Sequence, residues 1–474
     1  MSNSDPLISD ETSGRPAPMD LFRDPMRGPE LRSLYGTIWK LSWPVFLSEG
    51  IHSVVSMINR VIVSQLGEKA YNSVNVGLMV FLLIITVIAA VAVGTTALVA
   101  QSWGAGDRGK AGQVLQQSLL FGLFLTLAIT LLGMPLSRAT YYLLGADRET
   151  VTLGSQYLFW LFAALPLLAP GFFMAAALRG AGDTKTPMVV GIFMGLVSLL
   201  LSYGLILGRL GMPRLETLGA ALAIDGSFTF YTLVMAILFL FNRNVLKLPA
   251  SGWRLDFRLA ASIFKIGIPS ALEWILIQLG ILIYVFIIYR YGNAAAAGYF
   301  TGIAILAFAQ TPAFGIQTAT TILVGQAIGA KNFGRAESAF RHSMFLGFVL
   351  MAAVGGLIYF VFTPVSLSWL FGKLTAESIA FSRTYVVLLV FVLPPMGIAF
   401  TMAGGLRGAG DTVPPLIAST VGVYGGRILL AMGAYHLFHP SVLVIWCSMF
   451  PDLILRIAIM AARLASGKWK RAKI

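Results

Sequence analysis

Seven consecutive residues, Leu178-Arg-Gly-Ala-Gly-Asp-Thr184, occur again letter for letter as Leu406-Arg-Gly-Ala-Gly-Asp-Thr412, 228 positions further along a chain of 474. Each copy follows an apolar stretch of about 20 residues, the length that crosses a bilayer as a helix. A repeat at nearly half the chain length means that one architectural unit is used twice. The matches run on in order. At an offset of 225, Lys40, Pro44, Leu47 and Gly67 align with Lys265, Pro269, Leu272 and Gly292. At the same offset Gln101, Gly104, Ala105, Gly109, Ala111 and Ser118 align with Gln326, Gly329, Ala330, Gly334, Ala336 and Ser343. Tyr157 and Pro166 align with Tyr385 and Pro394 at 228.

Twelve apolar stretches are placed near 41–63, 77–100, 116–136, 157–177, 188–208, 218–241, 264–289, 296–321, 343–363, 384–404, 414–435 and 441–462. Only 11% of residues are charged and the mean hydropathy is +0.81, whereas a soluble domain carries roughly 25% charge. Backbone groups in lipid must pair within their own segment, so these stretches predict helices. The expected fold is all-α and integral to the membrane. Six spans per half is an even number, so both halves enter in the same direction: twelve transmembrane helices in two parallel-repeat six-helix bundles. The expected division is a disordered cytoplasmic tail over 1–37, bundles over 38–241 and 264–465, a cytoplasmic linker over 242–263 and a basic tail over 466–474.

The net charge of +14 is topological. Lys and Arg number 23 in the tails and even-numbered connections against eight in the odd-numbered ones. By the positive-inside rule both termini are expected in the cytoplasm, with the chain in the cell (inner) membrane. Nucleic acid is therefore not an expected partner; membrane lipids and a small molecule are, with the chain working as a monomer. The single cysteine, Cys447, excludes an internal disulfide or a cysteine metal cluster. Gly104-Ala-Gly-Asp-Arg-Gly-Lys110 mimics a phosphate-binding loop, but Ala111 stands where Ser or Thr is needed. Four histidines, of which only His436 and His439 are close in sequence, offer no acid–base site, so an enzyme is not expected.

The duplicated heptapeptide after spans 4 and 10, the Gln-x-x-Gly-Ala loops after spans 2 and 8, and the prolines opening spans 1 and 7 together resemble the multidrug and toxic compound extrusion (MATE) family over residues 38–465. The resemblance implies two-bundle secondary transporters that exchange cationic or amphiphilic compounds for H⁺ or Na⁺ by alternating access. No cofactor beyond that coupling ion is implied. A flippase for lipid-linked oligosaccharide or another lipid shares the wider architecture and is the alternative. In described branches of the family an acid lies in span 1 eight residues before the first loop glycine, a position held here by Asn59. The span 7 acid lies a turn deeper than here, where this chain has Ile277 and Gln278.

Ionisable groups at bilayer depth cost about 2.5–3.5 kcal/mol on insertion scales and mark function by default. Glu49, His52, Ser53, Ser56, Asn59, Arg60 and Ser64 fall within about 140° of one helical face, an arc expected to line an aqueous cavity. Glu273, four residues past Pro269, shares a face with Gly280 and Tyr284. Glu49 and Glu273 are expected to replace the missing acid jointly, binding H⁺ or Na⁺, with a fixed ion pair to Arg427 as the structural alternative for Glu273. Asp225 can join the first-half site. Gln310 and Gln317 offer polar contacts in the second half, and Met174, Met396, Tyr284 and Phe314 adaptable apolar ones. Asp452 and Arg456 have the spacing of a neutralising i,i+4 pair. Asp183 and Asp411 are expected to cap the helices that follow them, with Arg179 and Arg407 pairing with those aspartates or with lipid phosphate.

Overall fold

The computed structural model describes residues 29–143, 145, 147–241, 245–249, 253–370 and 374–471, and among these every regular element is helical. In the first half α1 is Pro29–Ser64, α2 Glu68–Gly104, α3 Arg108–Leu143, α4 Arg148–Gly180, α5 Lys185–Ile206 and α6 Glu216–Leu240. In the second half α7 is Phe257–Tyr289, and α8 is a pair, Asn293–Ala309 and Thr311–Gly329, bent by 41°. There follow α9, Phe333–Val361, α10, Ala376–Gly408, α11, Val413–Phe438, and α12, Val442–Ala465. The bend in α8 falls at Gln310, just before Pro312, which has no N–H to give the helical ladder. Ten of these helices and the bent pair are long and apolar enough to cross a membrane. The 36-residue α1, with its polar stripe, completes the twelve. This is an integral membrane protein.

Contacts divide the chain into two compact units, one of residues 47–268 and one of residues up to Phe46 together with Pro269 onward. We call them the N-unit and the C-unit. The division falls inside α1 and α7, beside the equivalent prolines Pro44 and Pro269. Each proline removes a helical hydrogen bond at the point where the chain passes from one unit to the other.

The N-unit packs around α4, which meets α2, α3 and α6; the C-unit packs around α10, which meets α8, α9 and α12. The repeat explains the correspondence. Thr96 Oγ1 on α2 donates to the Ala176 carbonyl of α4 (3.0 Å), and Thr321 on α8 donates to the Gly404 carbonyl of α10 (2.8 Å). One turn on, Gly180 and Gly408 let the same helix pairs approach. A Cβ at either would lie 2.6 Å from the Thr96 carbonyl oxygen or 2.2 Å from that of Thr321.

The heptapeptides close their helices identically. Asp183 N donates to Leu178 O (2.9 Å) and Gly182 N to Arg179 O (2.8 Å), matched by Asp411 to Leu406 (2.8 Å) and Gly410 to Arg407 (2.9 Å). This is the Schellman pattern, with Gly182 and Gly410 at φ of +93° and +83°. The loop after α2 has the same form, with Gly106 at φ +77°, but its counterpart after the bent pair places Lys331 at φ +56°. The phosphate-loop mimic is thus a helix end and a tight turn, and Asp107 accepts from Lys110 N (2.8 Å) at the start of α3.

Three expected segments differ from the structure. Helix α1 begins at Pro29, inside the expected tail, because Leu34 and Ile38 are buried there; residues 1–28 lie outside the described residues. Parts of the expected linker pack onto the N-unit: Gln117 Nε2 donates to the Arg254 carbonyl and Gln117 Oε1 accepts from Asp256 N. Residues 242–244 and 250–252 lie outside the described residues. In the expected C-terminal tail Trp469 is fully buried against Phe340, and Lys470 pairs with Glu337; residues 472–474 are outside the described residues.

Candidate ion and substrate sites

In the N-unit the buried carboxylate is Asp225, on α6. It is 7% exposed, and both carboxylate oxygens are buried without a hydrogen-bond partner. Tyr157 of α4 lies within its electrostatic reach and also has a buried, unpartnered hydroxyl. Asn59 of α1 donates from Nδ2 to Ser198 Oγ on α5 (3.0 Å), which leaves its own Oδ1 buried without a donor. Leu201, one turn past Ser198, packs against Gly226, the neighbour of Asp225. The Asn59–Ser198 pair therefore sits at the same level of the bundle. Unanswered oxygens of this kind cost several kcal/mol when buried. A proton on Asp225, or a cation such as Na⁺ that accepts oxygen ligands, would answer them.

The rest of the α1 stripe is more open. His52, Arg60 and Ser64 are exposed, while Glu49, Ser53, Ser56 and Asn59 are half-buried and Val55, Ile62 and Val63 turn inward. Glu49 forms no ion pair among the described residues. It shares the neighbourhood of Tyr231 with Arg179, since both charges act on that ring.

The C-unit carries a continuous charge network instead. Glu273 is 4% exposed and is held from both sides: Arg407 Nη2 donates to Oε2 (2.7 Å) and Ser419 Oγ to Oε1 (2.8 Å). Ser419 also accepts from Arg456 Nη1 (3.4 Å), and Arg456 grips Asp452 through Nε (2.6 Å) and Nη2 (3.2 Å). Arg427 Nη2 reaches the same Asp452 at 2.7 Å. The fixed partner of Glu273 is therefore Arg407, from the duplicated heptapeptide, and not Arg427. Arg407 therefore does not take Asp411, which accepts two bonds from Arg463 (2.6 and 3.1 Å). In the first copy Asp183 does cap the next helix, accepting from Thr186 N (3.0 Å). The i,i+4 pair Asp452–Arg456 forms as its spacing suggests.

Tyr284 is buried, with its hydroxyl donating to the Ile445 carbonyl (2.8 Å). Gln310 sits at the bend of α8, and Gln317 is buried against Gly404. Met174 and Met396 are buried, while Phe314 packs between Trp274 and Phe400. The structure thus places Asn59 and Asp225 in the N-unit without a contact between them, and joins Glu273 and Arg427 into one network in the C-unit. Arg407 and Tyr157 have no sequence signal beyond their repeat positions, and Ser419 and Ser198 have none. No group of three potential metal-ligating side chains occurs among the described residues.

A family model, MatE, matches residues 44–204 and 269–432, one block in each half. The chain belongs to the MatE family. It is 27% identical over 455 residues to a probable multidrug resistance protein NorM of Thermotoga maritima, covering 96% of this chain and 97% of that one. To an FAD transporter of Shewanella oneidensis it is 24% identical, over 74% of this chain and 77% of the relative. Among solved structures, a MOP superfamily transporter from Pyrococcus furiosus superposes with a TM-score of 0.85 at 22% identity, over 94% of this chain and 99% of that one. For that protein a reversed polarity of the binding pocket suggested a different function. The shared fold is twelve transmembrane helices in two six-helix halves.

Proposed function

We propose that this MatE-family chain is a secondary active efflux transporter. It exports small cationic or amphiphilic compounds by alternating access, in exchange for H⁺ or Na⁺ bound at Asp225. It works as a monomer in the cell (inner) membrane, with both termini in the cytoplasm and lipid as its only other partner. The observation that carries the reading is the Asp225 carboxylate, buried at membrane depth with neither oxygen partnered. Such a group is stable only while it holds a proton or cation, and a group that must be loaded to stay buried can couple ion movement to a change of state. The resemblance to proteins named for multidrug resistance supports the cargo class. Glu273, already held by Arg407 and Ser419, is less suited to exchange an ion than Asp225. Nothing in the names of these relatives favours the flippase alternative.

The test is efflux of a fluorescent organic cation from proteoliposomes under separately imposed proton and sodium gradients. One gradient is expected to drive efflux, and Asp225→Asn to abolish that component. A chain indifferent to both gradients is not an antiporter. An Asp225→Asn variant with undiminished gradient-driven efflux places coupling elsewhere.

A further inference from the structure

Helices α3 and α7 are both long and apolar enough to cross the membrane, and within the N-unit their first two turns border one cleft of about 430 Å³. Lys110 and Gln113 line it from α3, and Arg258 and Ser262 from α7. Asp107 and Asp256, each just before its helix, complete the lining. Gln117, 4% exposed, ties the start of α7 to α3. Its Nε2 donates to the Arg254 carbonyl (2.7 Å) and its Oε1 accepts from Asp256 N (3.0 Å).

The carboxylates are turned to their own helices. Asp107 Oδ1 accepts from Lys110 N (2.8 Å), and Asp256 Oδ1 from Arg258 N (2.9 Å) and Leu259 N (3.1 Å). Neither Lys110 nor Arg258 forms an ion pair among the described residues. Two cations offset two carboxylates, and the two helix N-termini add about half a positive charge each. The balance is about one positive charge, the complement of a phosphodiester, and the free ammonium and guanidinium groups suit its oxygens.

The surroundings say what carries the phosphate. Phe257, between two residues of the cleft wall, is 69% exposed and meets Phe121 of α3 edge to face (5.6 Å between centroids). Trp253 and Leu255, just before it, are 49% and 43% exposed. Exposed aromatic side chains at the ends of membrane-crossing helices belong to the headgroup layer. A free phosphate ion gains nothing from them, whereas the acyl chains of a lipid cover them.

We propose that this cleft binds the phosphate of one membrane phospholipid, held by Lys110 and Arg258 with Phe257 against its acyl chains. The site gives the lipid partner of the proposed function a place on the chain. It rests on that reading only for the presence of lipid, and its test needs no transport, so failure of one is distinct from failure of the other.

The experiment uses the purified full-length protein in dodecyl maltoside, a detergent without phosphate, with the melting temperature as readout. A ligand bound only by the folded state raises that temperature in a saturable way. Phosphatidylglycerol is expected to do so, and neither inorganic phosphate nor diacylglycerol is. Lys110→Gln and Arg258→Gln are expected to raise the half-saturating lipid concentration about fivefold each. Ser262→Phe, which keeps both charges and fills the cleft, should raise it as well. Lys468→Gln, at an exposed site of the C-unit, should leave it unchanged. Lys110 and Arg258 are exposed, so their variants are expected to melt with the unaltered protein when lipid is absent. No saturable response to phosphatidylglycerol overturns the proposal. So does an equal response to inorganic phosphate or to diacylglycerol, and so do Lys110→Gln and Arg258→Gln titrations that superpose on that of the unaltered protein.

Discussion

Arg407 donates to Glu273 across 2.7 Å inside the C-unit, whereas Arg179, at the same place in the first copy of the heptapeptide, forms no ion pair among the described residues. The same seven letters close their helices in the same way and put their arginines to different use. In the C-unit the charge is spent on a buried carboxylate. In the N-unit Ser48 stands at the position equivalent to Glu273.

Glu273→Gln is expected to strand the buried Arg407 guanidinium and cost about 3–5 kcal/mol of stability. Arg179→Gln should cost less than about 1 kcal/mol. Denaturant unfolding of the purified protein measures both. Equal losses would mean that the two arginines are placed alike.

For Asp225→Asn, stability near neutral pH should be unchanged or raised by up to about 1 kcal/mol, because an amide costs less to bury than an unpartnered carboxylate. Stability and coupling would then separate in a single variant. A fall of several kcal/mol in the same unfolding assay would reveal a partner that Asp225 needs for folding.

A methyl group at Gly408 meets the Thr321 carbonyl oxygen at 2.2 Å. Since backbone cannot yield as a side-chain tip does, Gly408→Ala is expected to destabilise by about 1–3 kcal/mol. Gly180→Ala, with 2.6 Å to the Thr96 carbonyl oxygen, should do the same in the other unit. Ala at Gly36, an exposed position of α1 where nothing lies within 4 Å, is the control and should be neutral or slightly stabilising, and thermal melting of the three variants ranks them.

Lys331 adopts φ +56° where its repeat partner Gly106 has +77°. A side chain in the left-handed region costs about 1–2 kcal/mol, and glycine gives part of that back as chain entropy in the unfolded state. Lys331→Gly should therefore stabilise by up to about 1 kcal/mol, and Gly106→Lys should destabilise by at least as much. Opposite shifts in melting temperature are the signature; shifts of the same sign would contradict the shared turn geometry.

Much of the scaffold was legible because it depends on local properties. Spans follow from apolar length, the turns from Gly182 and Gly410, and the equivalence of the halves from aligned letters. The pair Asp452–Arg456 was legible for the same reason: four residues apart on one helix, the two side chains must meet. The candidate coupling cluster was legible only in part. Asn59 and Asp225 stand out as polar groups in apolar spans, but Tyr157 and Ser198 look like ordinary core residues. The start of α1 at Pro29 was hidden because the apolar positions Leu34 and Ile38 are too few to stand out among polar neighbours.

By itself the sequence determined that this chain spans a membrane as two equivalent helical halves, because bilayer length, backbone pairing and repetition act on contiguous residues. Only the tertiary structure decided which charges are answered. Glu273 and Arg407 are 134 residues apart and meet because the folding of the C-unit brings these two long side chains within reach of each other. Asp225 lies among equally apolar helices and meets no partner. Pairing at bilayer depth depends on which helix faces are pressed together, a property of packing that spacing along the chain does not carry.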